Sequence, residues 1–436
     1  MTERELILNS KSDRIIIEAR AGTGKTRTLI ELTEKRPRES FLYLSYNNSL
    51  KKEGKKKFGG NVEVHTIHSL AYKEIGFLYK NKLGEANIKN IIKHTSLSKS
   101  KDAIEFIWLQ AMEVLNVLNE YFKGGSEPDN KIFKEYWDSM CELKGGAPMS
   151  HDGYLKLFHI SKPNLRYDWI LLDEGQDADK IALAIILRQK CKIVIVGDTY
   201  QEIYGFRGID NVFLRKDLQD FERFKLTKSW RFGDSISYVA NFFLTMRNGF
   251  LLEGQRESDL LMYDDGNLKD TIICRTNAHL LDLAFQAVNQ NKKIHIIGGM
   301  QTFNDIEDVY YLYTGELYKI RNHHIKSFKS FVKLKEFAEK YDDKELTFSV
   351  KLIEKFNNVL DVIKAVEFNI TKQYLADVVF VTAHKSKGLD FDTVRVATDF
   401  PKIKNSLKYE EINLLYVAVT RAKKVLYLPD YIMEKI

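Results

Sequence analysis

Cysteine is scarce in this chain of 436 residues: Cys141, Cys191 and Cys274 lie far apart. Three such residues cannot make a zinc cluster or a disulfide framework, and they read as core residues of a reducing compartment. Long apolar runs are missing as well. The longest, from Ile181 to Leu187, falls far short of the roughly 20 residues that span a bilayer, and the N-terminus lacks the apolar region of a signal peptide. These absences lead us to expect a soluble, intracellular, cytoplasmic protein with no membrane partner. There is no internal repeat, low-complexity tract or long disordered tail. Neither sign of charge dominates: 67 Lys+Arg against 60 Asp+Glu leave +7, which suits a polyanionic partner without demanding one. The lysines at 51, 52, 55, 56 and 57 and those at 402, 404 and 408 read better as solvated surface than as a binding patch.

What is present, 44% hydrophobic residues, suffices for the cores of two or three domains. Short apolar strands alternate with helical segments in two separate blocks, the pattern of two parallel-sheet α/β domains. The first block holds candidate strands at Ile15–Ala19, Phe41–Tyr46, Val62–Ile67, Trp169–Asp173 and Ile193–Gly197. The second holds Thr271–Arg275, Ile294–Ile297, Val378–Thr382, Val394–Ala397 and Val425–Leu428. Between Tyr72 and Asn164 the strand signal disappears, and glycine-rich breakers at 124–128 and 145–148 punctuate a polar helical insertion. A second insertion, from Tyr310 to Tyr374, is aromatic and lysine-rich, with helical spacing in Phe328, Phe331, Leu334 and Phe337.

Directly behind Ile15-Ile16-Ile17 comes Ala19-Arg20-Ala21-Gly22-Thr23-Gly24-Lys25-Thr26, followed by the amphipathic Leu29-Ile30-Glu31-Leu32. This is a strand, a phosphate-cradling loop and a helix. Glycines let the backbone curl until its N–H groups converge on phosphate oxygens. Lys25 then reaches the terminal phosphates, and Thr26 sets its hydroxyl on magnesium at the helix N-terminus. The site predicts a nucleoside triphosphate held by Ala21, Gly22, Thr23, Gly24, Lys25 and Thr26. Downstream, Leu171-Leu172-Asp173-Glu174-Gly175-Gln176-Asp177 puts acids at the carboxyl end of a strand, where ligands of open α/β sheets bind. Asp173 is suited to hold magnesium through its water shell, and Glu174 to polarise an attacking water.

With Val196-Gly197-Asp198-Thr199-Tyr200-Gln201-Glu202-Ile203-Tyr204-Gly205-Phe206-Arg207-Gly208 added, the sequence resembles the UvrD/Rep-type branch of superfamily 1 DNA helicases. Further motifs fall in the family's order: Ser45-Tyr46-Asn47-Asn48, Thr66-Ile67-His68-Ser69-Leu70, Leu226-Thr227-Lys228-Ser229-Trp230-Arg231, Thr382 to Asp392, and Leu414 to Ala422. Within it, the phosphate loop, Trp230-Arg231-Phe232-Gly233 and Asn413 to Thr420 resemble the F-box DNA helicase subgroup, although no room for an F-box precedes Ile15. That favours a bacterial, archaeal or viral source.

The resemblance implies two RecA-like motor domains, a P-loop NTPase fold. The first takes residues 1–71 and 165–215, with a helical insertion at 72–164; the second takes 216–309 and 375–436, with a reduced accessory insertion at 310–374. It implies ATP and Mg2+ as cofactors, and 3′-to-5′ movement on single-stranded DNA in recombination, repair or replication. Partners would be single strands and single/double-strand junctions, a recombinase filament or a nuclease. By the same resemblance Gln201 senses the terminal phosphate, and Arg231 and Arg421 stabilise charge on the transferring phosphoryl group beside Lys25 and Glu174. Trp230 stacks on the base, and Gly388 and Asp390 complete the nucleotide site. Tyr46, Asn47, His68, Ser69, Tyr204, Phe206, Thr382 and His384 face the DNA. The family's adenine-reading glutamine is absent, with Glu5 in the corresponding stretch, which leaves base preference open. A protein-stripping translocase and an ATP-switched DNA-binding or scaffold subunit working with a nuclease are the competing readings. No further acidic metal cluster in the sequence points to nuclease activity in this chain.

Overall fold

A computed structural model describes residues 1–203, 212–256, 259–404 and 406–436. Tyr204 and Phe206 lie outside the described residues. The chain divides into two units: residues 1–19, 24–199 and 204–226 form the first, and residues 20–23, 200–203 and 227–436 the second.

The first unit is built on six strands: β1 (Arg14–Ala19), β2 (Phe41–Ser45), β3 (Val62–Thr66), β4 (Trp169–Leu172), β5 (Lys192–Gly197) and β6 (Glu222–Leu226). They lie in the order β3-β2-β4-β5-β1-β6, and every pairing is parallel. Parallel strands covered on both faces read as continuous apolar runs. Accordingly Ile15, Ile16 and Ile17 of β1 and Ile193 to Val196 of β5 are fully buried. The edge strand β6 is different. Its Glu-Arg-Phe-Lys-Leu sequence is mostly exposed, so no apolar signal marks it, and only its ladder with β1 makes it a strand.

Helices α1 (Glu3–Asn9), α2 (Lys25–Glu34), α3 (Asn48–Lys57) and α4 (Ile67–Glu74) punctuate the first strands. The segment without strands then supplies α5 (Ile88–Lys93), α6 (Ile104–Phe122), α7 (Lys131–Cys141) and α8 (His151–Ile160) before α9 (Lys180–Leu187) returns to the sheet. These inserted helices share one core with the sheet: Leu118, Phe133, Trp137 and Phe158 join Ile16, Leu42 and Leu44 in a continuous cluster.

The second unit opens with a two-stranded pair, β7 (Lys228–Ser229) and β8 (Glu253–Gly254), around α10 (Asp234–Thr245). Its main sheet comprises β9 (Leu260–Tyr263), β10 (Asp270–Cys274), β11 (Ile294–Ile296), β12 (Val378–Thr382), β13 (Phe391–Val396) and β14 (Ala422–Leu428). These are parallel throughout, in the order β11-β12-β10-β13-β14-β9. Helix α11 (Asn277–Asn289) follows β10, and α12 (Asn304–Thr314), α13 (His323–Ser327), α14 (Phe331–Lys340), α15 (Lys344–Lys355) and α16 (Val359–Phe368) lie between β11 and β12. Helices α17 (Ala383–Ser386), α18 (Tyr409–Val419) and α19 (Asp430–Met433) complete the unit. The spacing of Phe328, Phe331, Leu334 and Phe337 suggests one helix, but the chain breaks between Phe328 and Phe331. Lys329 takes φ +61° and Ser330 caps α14. Phe328 still meets Phe337, ring to ring, at 5.0 Å. Leu334, Leu346 and Val362 share a core with Ile272 and Phe380 of the sheet. No helix among the described residues is long and apolar enough to cross a membrane.

The N-terminus of α11 is a node of charge. Asp399 accepts the N–H groups of Arg275 and Thr276, and the Arg275 guanidinium grips Glu411 through two nitrogens. Glu345 of α15 accepts the Asn277 N–H at 3.0 Å. Loss of solvent pushes the Glu345 carboxyl up to about 7, against the opposing pull of that hydrogen bond and of Arg275. A carboxyl whose pKa is raised by folding holds a proton that the unfolded chain has released, so stability falls as pH rises through the interval between the two values. Here that interval runs from the ordinary 4.5 to about 7. Glu345→Gln should abolish this fall. Urea melts at about pH 5 and about pH 8 should show wild type losing stability relative to the variant; parallel profiles would contradict the assignment.

Candidate nucleotide site and nucleic-acid face

In the first unit, β1 delivers the phosphate loop and β4 the acids to the same edge of the sheet. Gly24, the residue before α2, adopts φ +86° and Gly22 φ +75°, left-handed conformations that favour glycine. The turn sets Lys25 and Thr26 at the start of α2. The Lys25 Nζ lies 2.7 Å from Glu174 Oε2, and Thr26 Oγ1 donates to Asp173 Oδ2 at 3.0 Å. Tyr43 of β2 reaches across from the neighbouring strand, its hydroxyl donating to Asp173 Oδ2 at 2.7 Å. Gln176 ties the cluster to β5: its Nε2 donates to Glu174 Oε2 at 2.7 Å, and its Oε1 accepts the Asp198 N–H at 3.0 Å.

Electrostatics follows from this packing. Burial, then the neighbouring Glu174, raise the Asp173 carboxyl, while Lys25, Tyr43 and Thr26 pull it down. Burial works against the charge on Lys25, yet Glu174, Asp198 and Asp173 outweigh it and the ammonium is held above its ordinary value. Glu174 itself sits at φ +54°, ψ +45°, an uncommon conformation for a residue with a long side chain that costs of order 1–3 kcal/mol. Such strain persists where surrounding contacts enforce it, as the Lys25 and Gln176 bonds do here.

The donors suit a magnesium-bound triphosphate. Oxygen ligands from one hydroxyl and one carboxylate, Thr26 and Asp173, are what a hard divalent cation takes, and Lys25 with the loop N–H groups offers positive charge to phosphate oxygens. A cavity of about 80 Å3 opens beside them, lined by Tyr46, His68, Asp173 and Glu174 among others. Two of the residues expected on the DNA face thus adjoin the acids. His68 pairs with Asp152 at 3.0 Å. Asn47 and Ser69 have structural employment: Asn47 caps α3 through the Leu50 N–H, and Ser69 forms a reciprocal cap with Thr66 at the start of α4.

The second unit gathers the other expected residues. Arg231 Nη1 donates to the Thr420 carbonyl at 2.9 Å, and Arg231 Nε lies 3.7 Å from Asp390. Arg421 is buried; its guanidinium donates to the carbonyls of Val417 and Leu389. Lys423 also pairs with Asp390, at 3.3 Å. Trp230 is 60% exposed, so its ring is open to stacking, and its backbone N–H donates to the Gly22 carbonyl. Gln201 is buried and accepts from Lys387 through its backbone oxygen. Gly388 takes φ +82° in the turn before Asp390. Thr382 is buried at the end of β12, and His384 lies half-buried on α17.

The UvrD-like helicase C-terminal domain matches residues 176–431, and an AAA domain matches residues 3–207. The chain belongs to the UvrD-like helicases. It is 33% identical to F-box DNA helicase 1 of Gallus gallus over 98% of this chain and 48% of that one. It is 30% identical to F-box DNA helicase protein 1 of Schizosaccharomyces pombe over 96% and 56%, and 25% identical to DNA helicase II of Escherichia coli over 57% and 40%. The chain spans about half the length of the F-box relatives it matches. For a UvrD-like helicase the α/β fold with two parallel sheets follows from its family.

Sequence reasoning missed several members of the site. Tyr43 is the one polar tip inside the apolar run Phe41-Leu42-Tyr43-Leu44, a signal that was available. Arg20 is 1% exposed; its Nε donates to the Phe250 carbonyl, and its guanidinium lies over the rings of Phe250 and Tyr200 at 3.4 and 4.4 Å. The Ala21 N–H, expected on a phosphate, donates to the Tyr416 hydroxyl at 3.0 Å. Nothing in the local sequence marks these long-range pairs. Removing the Tyr43 hydroxyl strips a donor from a buried carboxylate, which costs about 1–3 kcal/mol. Tyr43→Phe should lower the urea stability of the protein by that amount; an unchanged midpoint would contradict the Tyr43–Asp173 bond.

Proposed function

We propose that the chain is an ATP-dependent DNA helicase or translocase moving 3′ to 5′ along single-stranded DNA, working in recombination, repair or replication. The observation that carries this reading is the paired contact of Lys25 with Glu174 and Thr26 with Asp173 at the carboxyl edge of the first sheet. It supports hydrolysis of a triphosphate. When bound, magnesium neutralises charge on the phosphates and orients them. Thr26 and Asp173 would hold it, Lys25 would turn from Glu174 to the terminal phosphates, and Glu174 would then accept a hydrogen bond from the attacking water. Gln176 stays bonded to Glu174 and keeps its carboxylate aimed.

Residues 1–71 and 165–215 are on this reading the first motor domain and 216–309 with 375–436 the second, with insertions at 72–164 and 310–374. Gln201, Arg231 and Arg421 would respond to the terminal phosphate, tying hydrolysis to the arrangement of the domains. Trp230, Gly388 and Asp390 would hold the nucleoside, and Tyr46, His68, Thr382 and His384 would track the strand, where aromatic stacking tolerates any base. A single strand, a junction, and proteins bound to either are the substrates this supports.

ATP turnover with and without single-stranded DNA, in wild type and Glu174→Gln, tests the reading. Turnover should rise with DNA and fall by about 100-fold or more in the variant, as loss of a positioned general base removes 10²–10⁴ in rate. Turnover that ignores DNA would favour an ATP-switched scaffold subunit instead.

A further inference from the structure

Residues 20–23 of the phosphate loop and residues 200–203, which include Gln201, both group with the second unit. Cations stacked on rings join them. Arg20 is 1% exposed, and its guanidinium lies 3.4 Å from the ring centroid of Phe250 and 4.4 Å from that of Tyr200. Both distances are well inside the roughly 6 Å at which a ring attracts a cation, and the attraction is strongest where water is excluded. The Arg20 Nε donates to the Phe250 carbonyl at 3.1 Å, which fixes the plane of the guanidinium. Arg247 also approaches the Tyr200 ring, at 5.0 Å, and its carbonyl accepts the Tyr200 hydroxyl at 3.2 Å.

Gln201 follows Tyr200 directly, and the residue on its other side is held as well. Asn413 Nδ2 donates to the Glu202 carbonyl at 2.7 Å, and Asn413 Oδ1 accepts from Arg247 Nη1 at 2.5 Å. One turn along α18, Tyr416 meets the Tyr200 ring edge-on at 6.2 Å and accepts the Ala21 N–H at 3.0 Å. Arg20 and Ala21, neighbours in the phosphate loop, thus both connect to the residue before Gln201.

We propose that Arg20 is a positioning residue for hydrolysis: through Tyr200 it fixes Gln201 relative to the phosphate loop, so that the stack governs the rate of the chemical step and not the binding of nucleotide. The proposal rests on the reading that Gln201 responds to the terminal phosphate. Arg20 precedes the loop residues expected to hold phosphate, and its guanidinium is engaged with rings. A displacement of about 1 Å at a group that must meet the reacting atoms costs about 100-fold in rate. A nucleoside diphosphate has no terminal phosphate for Gln201 to meet, so its affinity is insensitive to that displacement.

The test is ATP turnover on saturating single-stranded DNA, counted per nucleotide-binding site, with ADP binding measured on the same preparations in Mg2+. Arg20→Met, which keeps apolar bulk and removes the charge, should lower kcat by about 10- to 100-fold and leave the ADP dissociation constant within about twofold. Arg20→Lys, which keeps a cation over the rings, should recover most of the loss. Tyr200→Leu should lower kcat as Arg20→Met does, and the double variant should be no worse than either single one, because both act through one contact. Counting per site removes unfolded protein from the comparison, and Tyr200→Leu carries the test if Arg20→Met does not fold. Full kcat in Arg20→Met, a matching loss of ADP affinity, no recovery with lysine, or additive losses in the double variant would each overturn the proposal. Gln201→Asn separates the reading beneath it. Full turnover there sinks the sensing role of Gln201 and the route built on it, whereas loss there with full turnover in Arg20→Met overturns the role of Arg20 alone.

Discussion

Two adjacent carboxylates at the end of β4, largely withdrawn from water, are the constraint around which the first unit is arranged. Like charges this close cannot both ionise at neutral pH without compensation. Lys25 supplies it, and the loop that presents Lys25 is fixed in turn by Gly24 in its left-handed turn. Tyr43 and Gln176 bring further donors from β2 and toward β5, so three strands of the sheet converge on one pair of acids. An ammonium poised between carboxylates suits a site whose ligand exchanges partners. Phosphate oxygens would compete for the lysine while a cation takes its place beside the acids, and the cluster would pass between these states without ever leaving a charge buried alone.

The helical segments between β3 and β4 and between β11 and β12 extend this economy. Neither folds around a core of its own: α6 to α8 complete the first sheet's core, and α14 to α16 pack on α11 and the second sheet. Their positions are therefore coupled to the sheets by continuous side-chain packing, which transmits displacement because close-packed interiors do not compress. In the second unit the charged groups at the start of α11 bind Arg275, Asp399, Glu411 and Glu345 into one network. Helix α15 is thereby anchored to the end of β10 and the start of α11.

Much of this was legible from the residues. Strands buried on both faces announce themselves by unbroken β-branched runs, as Ile15-Ile16-Ile17 and Ile193 to Val196 do, and the loop, the acids and the hydroxyl of Thr26 meet as their types require. Of the four edge strands, β3 and β11 were legible and β6 and β9 were not: β6 carries three charged residues, and β9 is a four-residue apolar run that lies largely exposed. The helix break at Lys329 also escaped notice, since the apolar spacing continues across it. Pairings between distant segments, Tyr43 with Asp173 or Ala21 with Tyr416, depend on strand order rather than local sequence.

The central claim is that chemistry at the Lys25–Glu174 cluster drives directed movement on a single strand. Its most direct test is ATP-dependent release of streptavidin from biotin at one or the other end of an oligonucleotide. The account predicts release from the 5′ end, abolished by Glu174→Gln. Release from the 3′ end, or from neither end while DNA-stimulated ATP turnover persists, would contradict it.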